Sequence, residues 1–402
     1  MIELADAALV LAQTDADLGG FMPRIGPFVI KFTESFGIRW YGLSYVTGFV
    51  LAWLVLKLLA KRGLVRIPAD RVGEAIVIIV MGVLIGGRLG YCLFYRPSLL
   101  WSFDGAVPFW GLLKIHEGGM ASHGGMIGVA VASWWVSRGF KPEDATGNVN
   151  AEDRIGRCPT LHVTDALALV APIGLFLGRL ANFINGELLG KIVAAPGERA
   201  PGWAVRFPQE HLDASHAPQL TAVQEQELLN LLEETVPTAP TFEMAYGRLL
   251  ERVWSGDQDV IARLEPLLSA RHPSQLYQAV AEGLMVGAVA WAVFRSPRRP
   301  GVITASFLMV YGALRIVTEF FRLPDGHFDG GGTFDITSPR PLGLSRGQWL
   351  SALMVVIGVA LLVWVTRRGG EKLGGWGKRA PLVVARGVTE ARDSESTYID
   401  AD

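Results

Sequence analysis

The chain has 402 residues, 50% of them hydrophobic and 19% charged, and a formal net charge of -1. A soluble domain carries about a quarter charged residues, so this balance leans toward a membrane protein. Near-neutral charge, with no basic block interleaved with aromatics, excludes the usual nucleic-acid footprint.

Residues 1–20 carry Glu3, Asp6, Asp15 and Asp17 and no basic start, so they do not read as a cleaved signal peptide. A helix needs about 20 apolar residues to cross a bilayer core. Stretches near 42–60, 72–94, 119–137, 163–184, 276–294, 301–321 and 349–366 are candidates, the third being short and glycine-rich at its start. Lys61, Arg62, Arg66 and Arg71 follow the first stretch, and Arg138, Lys141, Arg154 and Arg157 the third. Arg295, Arg298 and Arg299 follow the fifth, and Arg367, Arg368, Lys372, Lys378 and Arg379 the seventh. Excess Lys and Arg marks cytoplasmic loops, so the amino terminus is expected outside and the carboxyl terminus inside. Cys92 and Cys158 lie in no CxxC or metal-spaced cluster and read as unpaired thiols.

The long loop 188–275 falls outside on this topology. Its acidic middle, about 209–270, contains two amphipathic stretches, 220–232 and 242–268, and reads as a small cap. The predicted fold is an all-α polytopic membrane protein, with seven transmembrane helices and an extracytoplasmic cap between helices four and five. Residues 1–187 hold helices one to four, 188–275 the cap and 276–366 helices five to seven. Residues 367–402 form a cytoplasmic tail, glycine-rich and then polar, expected to be disordered.

Charge at membrane depth costs about 2.5–3.5 kcal/mol per residue on insertion scales, so intramembrane arginines are functional candidates. Arg88 lies late in the second span, Arg179 ends the fourth, and Arg315 and Glu319 lie in the sixth. Arg179, Asn182 and Gly186 share one helical face, and Tyr311, Arg315, Glu319 and Arg322 form a second polar stripe. Facing inward, the stripes would make a cationic cavity suited to a phosphate, whose oxygens match forked guanidinium donors. Blander readings stand beside this one. Arg315 and Glu319 also make an i, i+4 pair, Arg179 sits where arginines snorkel, and the glycines around Arg88 serve helix packing. His123 opens the third span between glycines, with His116 and Glu117 nearby. Histidine titrates near neutrality and can take a proton from a thiol, although a lone histidine is more often structural. No HxxH or HExxH spacing points to a metal.

Residues 178–190 fit the pattern G-R-x-[GA]-N-F-x-N-x-E-x-x-G at every fixed position. In this the chain resembles the prolipoprotein diacylglyceryl transferase family. Similar segments are Ile38-Arg39-Trp40-Tyr41-Gly42, 86–95, 118–128, 271–277 and 315–325, in the family's order from about residue 25 to 366. The acidic stretch 209–270 and the polar loop 146–158 are longer than the family pattern leads one to expect.

The resemblance implies a donor, phosphatidylglycerol, and an acceptor, the lipobox cysteine of a prolipoprotein signal peptide. A thioether forms and glycerol 1-phosphate leaves, with no metal or organic cofactor. By the same resemblance His123 is the candidate base, and Arg179 and Arg315 bind the phosphate. Asn182 and Glu187 position the headgroup or Arg179, Glu319 orients Arg315, Tyr41 contacts lipid or acceptor, and Arg88 joins the substrate-binding set. Gly190 serves backbone geometry. Two rivals remain at this stage. A seven-span receptor or channel is disfavoured because the last span has no ionisable residue before Arg367. A lipid-headgroup transferase with a hydroxyl acceptor is disfavoured only by the motif.

Overall fold

The computed structural model describes residues 18–32, 37–103, 105, 107–115, 118–142, 153–212, 217–323 and 344–377. In chain order the helices are α1 (Trp40–Lys61), α2 (Val72–Phe94), α3 (Ser122–Ser137) and α4 (Thr160–Asn185). Three shorter ones follow, α5 (Ala222–Thr235), α6 (Phe242–Ser255) and α7 (Gln258–Leu264), then α8 (Ser274–Phe294), α9 (Val302–Glu319) and α10 (Arg346–Arg368). A hairpin of β1 (Phe28–Lys31) and β2 (Gly37–Arg39) precedes α1. Strands β3 (Ile192–Ala194), β4 (Val205–Arg206) and β5 (Ala270–Arg271) form an antiparallel sheet in the order β3-β5-β4.

By length and composition α1, α2, α4, α8, α9 and α10 are able to cross a membrane. Each lies within three residues of its expected bounds. Val46, Phe49 and Val50 on α1, and Leu353, Val356 and Ile357 on α10, are exposed. Apolar surface on this scale would be a liability in water and is ordinary against lipid.

The third expected span differs. Gly118 and Gly119 take φ of 84° and 81°, in the left-handed region, so α3 begins at Ser122 and not at 119. Its 16 residues rise about 24 Å, short of a hydrocarbon core of about 30 Å.

The chain forms two compact units. One comprises Leu56–Val163, Val293–Pro300 and Gly369–Asp402 and is built on α2 and α3. A Cβ at Gly86 would stand 2.4 Å from the Gly124 carbonyl oxygen, and one at Gly128 only 1.9 Å from that of Gly82. Small residues at four-residue spacing let the two backbones touch, and dispersion across that contact holds helices together where lipid removes the hydrophobic drive.

In the same unit the segment after α10 departs from the expected free tail. Arg298 and Leu373 exchange backbone hydrogen bonds of 3.0 and 2.8 Å, and Gly377 N donates to the Arg295 carbonyl at 2.9 Å. Arg66 pairs with Glu371 at 2.7 Å. Gly374 and Gly375, at φ of 73° and 95°, let the chain turn in against Phe294 and Pro297. Residues 378–402 lie outside the described residues. Cys92 and Cys158 are free. Burial pushes the Cys158 thiol up to about 11, against the opposing pull of Arg66, so it stays protonated near neutrality.

The other unit comprises Met1–Val55, Thr164–Ala292 and Gly301–Arg368. Its 188–275 segment folds around a core that Met22 joins from the start of the chain. Thr221 and Gln224 close a capping box at the start of α5, and Thr241 and Asp257 cap α6 and α7. The amphipathic stretch 242–268 becomes two helices because Gly256, at φ 88°, ends α6 and Asp257 at once caps α7. Leu228, Leu231 and Leu232 pack with Tyr246, Leu249, Leu250, Val253, Ile261 and Leu264.

The same segment contains a fully buried ion pair, Glu210 with Arg271 at 2.7 Å. Glu210 also accepts from the backbone and hydroxyl of Ser269. Arg206, equally buried, donates to the carbonyls of Leu18, Gly19, Glu198 and Leu268. Removing one partner of a buried pair costs about 3–5 kcal/mol, because the other charge stays desolvated and unpaired. Glu210→Ala is therefore expected to lower the unfolding midpoint of the detergent-solubilised protein, read by tryptophan fluorescence. The double change Glu210→Met with Arg271→Met should recover most of that loss.

Candidate active site

Helices α4, α8 and α9 carry charge at depths where a hydrocarbon core makes charge costly, and they neutralise one another's. In α8 the turn Ala279–Met285 is π-helical, and it presents Glu282, fully buried. Gly283 lets α8 close on α4, since a Cβ there would stand 2.6 Å from the Phe176 Cβ. Arg179 of α4 donates from Nε and Nη2 to one Glu282 oxygen, at 3.1 and 2.9 Å. Arg315 of α9 donates from Nη1 to the other oxygen at 3.2 Å. Arg315 also meets Glu319 at 2.9 Å, and Glu319 lies 3.8 Å from Arg322. The i, i+4 pair read from the sequence thus forms, but Arg315 is not confined to it.

A second cluster surrounds the end of α4. Asn182 donates from Nδ2 to the Tyr41 hydroxyl at 2.8 Å and to Glu187 at 3.4 Å, and Asn185 donates to Glu187 at 3.5 Å. Gly186, at φ 66°, ends the helix, and the Glu187 N–H turns back to the Asn182 carbonyl at 3.0 Å. Gly190 then passes so near His272 that a Cβ would stand 2.1 Å from the His272 carbonyl oxygen. On either side of it Leu189 accepts from Leu323, Lys191 donates to Phe321, and His272 donates to Lys191. This crossing ties the segment after α4 to the end of α9 and the start of α8. Only glycine fits there.

Arg179 and Arg315 keep 17% and 13% of their side-chain surface exposed, whereas Glu282 keeps none. A Cβ added at Gly42, Gly174 or Gly178 would meet nothing within 4 Å. The carboxylate is therefore fully covered, while each arginine keeps part of its side chain accessible. Such a pair offers forked donors to an anion with several oxygens.

Arg88 and His123 belong to the unit built on α2 and α3. Arg88 is buried and donates to the carbonyls of Gly111, Leu112, Gly118 and Gly119 at 2.6 to 3.1 Å. Four of a guanidinium's five donors hold the loop before α3, where the sequence suggested a substrate contact. His123, the second residue of α3, is half-buried, and its ring makes no hydrogen bond among the described residues. His116 and Glu117 lie outside the described residues.

Residues 27–364 match the family described as prolipoprotein diacylglyceryl transferase. The chain belongs to this family. The phosphatidylglycerol–prolipoprotein diacylglyceryl transferase of Bdellovibrio bacteriovorus is 38% identical over 364 residues, covering 87% of this chain and 95% of its own length. Proteins of the same name from Burkholderia thailandensis and Burkholderia mallei are 36% and 35% identical over 355 residues, covering 87% of this chain and 97% of their own.

For this member of the diacylglyceryl transferase family, sequence reasoning gathered Tyr41, Arg179, Asn182, Glu187, Gly190, Arg315 and Glu319, and these fall in one unit. It missed Glu282, although an acid in the middle of an apolar run is the same signal that singled out the arginines. It also missed Asp165, buried in α4. Asp165 accepts from the backbone of Gly301 and Thr304 at 2.8 and 2.7 Å and so caps α9 from a neighbouring helix.

Lysine carries its three donors at one point and cannot span carbonyls spread over residues 111–119. Arg88→Lys should therefore release that loop. The expected result is faster amide exchange and faster limited proteolysis between residues 100 and 119 than in the wild-type protein, and unchanged protection there would contradict the clamp.

Proposed function

We propose that this chain performs the reaction for which its relatives are named. It transfers the diacylglyceryl group of phosphatidylglycerol to prolipoproteins, the first step of lipoprotein maturation. The reading rests on one observation above the others, the convergence of Arg179 and Arg315 on a single buried carboxylate while both keep part of their surface exposed.

The chemistry follows from that arrangement. The acceptor is a cysteine thiol in a lipobox, and its sulfur attacks the diacylglycerol carbon that bears the phosphate oxygen. A C–S bond forms, the C–O bond breaks, and the electron pair leaves on glycerol 1-phosphate. Charge grows on the phosphate as it departs, and Arg179 and Arg315 stabilise it where water is scarce. The thiol proton must go to a base, because a thiol near pKa 8.5 is only a few per cent ionised at pH 7. His123 is the candidate for that task, its ring being uncommitted among the described residues. Tyr41, Asn182 and Glu187 form the hydrogen-bonded wall beside Arg179 that would orient the headgroup. Arg88 acts at one remove, through the loop that it clamps.

In this reading seven helices cross the inner membrane, with the amino terminus outside, the carboxyl terminus in the cytoplasm and the 188–275 cap external. Six long apolar helices and the alternating basic loops support it. The short α3 would be accommodated by local thinning of the bilayer.

The test is transfer by the purified protein from labelled phosphatidylglycerol to a lipobox peptide, beside its cysteine-to-serine version. Label on the cysteine peptide alone, with glycerol phosphate released, is the expected outcome; transfer to neither peptide by folded protein would refute the reading. Arg179→Lys and Arg315→Lys should each lower kcat/KM by about 10²–10³-fold, the range for losing a donor to a developing oxyanion. His123→Ala should lower kcat by about 10²–10⁴-fold, and near-wild-type turnover in that variant would remove His123 as the base.

A further inference from the structure

Glu282 was not among the residues that the sequence motif singled out, yet both phosphate-binding arginines depend on it. Each of its oxygens is taken by a different guanidinium, Oε2 by Arg179 and Oε1 by Arg315. Its position is built. It sits in a π-helical turn, next to a glycine that permits close approach of α8 to α4, and it is wholly buried. Glu282 has no exposed surface and each arginine keeps some, so a ligand meets the arginines and not the carboxylate.

We infer that Glu282 is a positioning residue and a resident counter-anion. It fixes the separation of Arg179 and Arg315, and it holds their affinity for phosphate low enough for the anionic product to leave. The inference rests on the proposed reaction, in which those two arginines bind the phosphate.

Two guanidiniums with no shared partner would repel and adopt separate rotamers, whereas a carboxylate receiving both locks one spacing. Catalysis also requires that the site favour the transition state over the product. An arginine pair with its full double charge in a medium of low dielectric would bind a phosphate dianion tightly in every state, which lowers KM and slows release without lowering the chemical barrier. Glu282 and Glu319, both against Arg315, offset that charge before any substrate arrives.

Glu282→Gln keeps the shape and one acceptor and removes the charge. Phosphate binding is measured directly by titrating inorganic phosphate and glycerol 1-phosphate into detergent-solubilised protein in a calorimeter, and transfer is measured in parallel. The variant should bind both anions about tenfold more tightly, the scale of removing one partly screened charge from the site. In steady state its KM for phosphatidylglycerol and its kcat should fall together, with glycerol 1-phosphate becoming a correspondingly stronger inhibitor. A variant that only loosened the fold would bind anions more weakly and raise KM, which would overturn the inference. Unchanged anion affinity would overturn it equally.

Glu282→Asp, which keeps the charge and shortens the reach by one methylene, covers the case in which the glutamine variant does not fold. It should lower kcat with no tightening of anion binding, and wild-type kcat would exclude the positioning role. The two claims separate cleanly. Wild-type transfer tests the activity, and the phosphate comparison, which needs no turnover, tests Glu282.

Discussion

Two guanidinium groups held at the same depth among apolar helices repel each other, and lipid provides no water to screen them. A carboxylate between them changes that balance, since it gives each a charge-assisted hydrogen bond and gives the pair a fixed geometry. Glu282 stands in this position between Arg179 and Arg315. Much of the surrounding structure is arranged so that it can be there. The π-helical turn of α8 presents the carboxylate, Gly283 allows the close helix contact, and Glu319 takes the second edge of Arg315.

The same economy of partners recurs away from the site. Arg88 is satisfied by backbone carbonyls, Arg206 by four more, and Arg271 by Glu210. These three differ from the pair at the site. They hold loops and segments in place, while Arg179 and Arg315 retain some accessible surface. Burial separates the two sets, since Arg88, Arg206 and Arg271 are buried and the pair at the site is not fully so. The identity of the acceptor does not, since Arg271 meets a carboxylate just as Arg179 does.

The long spans were legible because hydrophobic runs of the required length have few alternatives in lipid; α2 begins and ends where its apolar run does. The polar stripe of α9 was legible from helical spacing, and Gly190 from its motif position. Less was legible where one residue's backbone angle decides. Gly118 and Gly119 shortened α3, and Gly256 split one amphipathic stretch into α6 and α7. Positive φ leaves no mark in a hydrophobic pattern. The docking of residues 371–377 on the loop 295–298 was likewise hidden, because a polar glycine-rich composition looks the same whether or not a surface receives it. Tertiary partners were hardest of all. Arg88 and Arg179 have similar glycine-rich settings in the sequence, and what they bond to differs entirely.

The segment between α4 and α8 has a consequence for how such a chain can change length. Its helices α5, α6 and α7 bury their leucines against one another, and Gly190 with β3 and β5 fastens both ends of the segment at one crossing. Material added among those helices lies beyond the crossing, whereas Phe207 and Gln209 of the same segment pack on the end of α4. The fastening works as a bulkhead, so the portion formed by α5, α6 and α7 can be lengthened, trimmed or refaced while the crossing and the residues on α4 stay in place. Variation in size among related proteins would then collect in this compartment, and a graft there would be a tolerated place to attach a reporter domain.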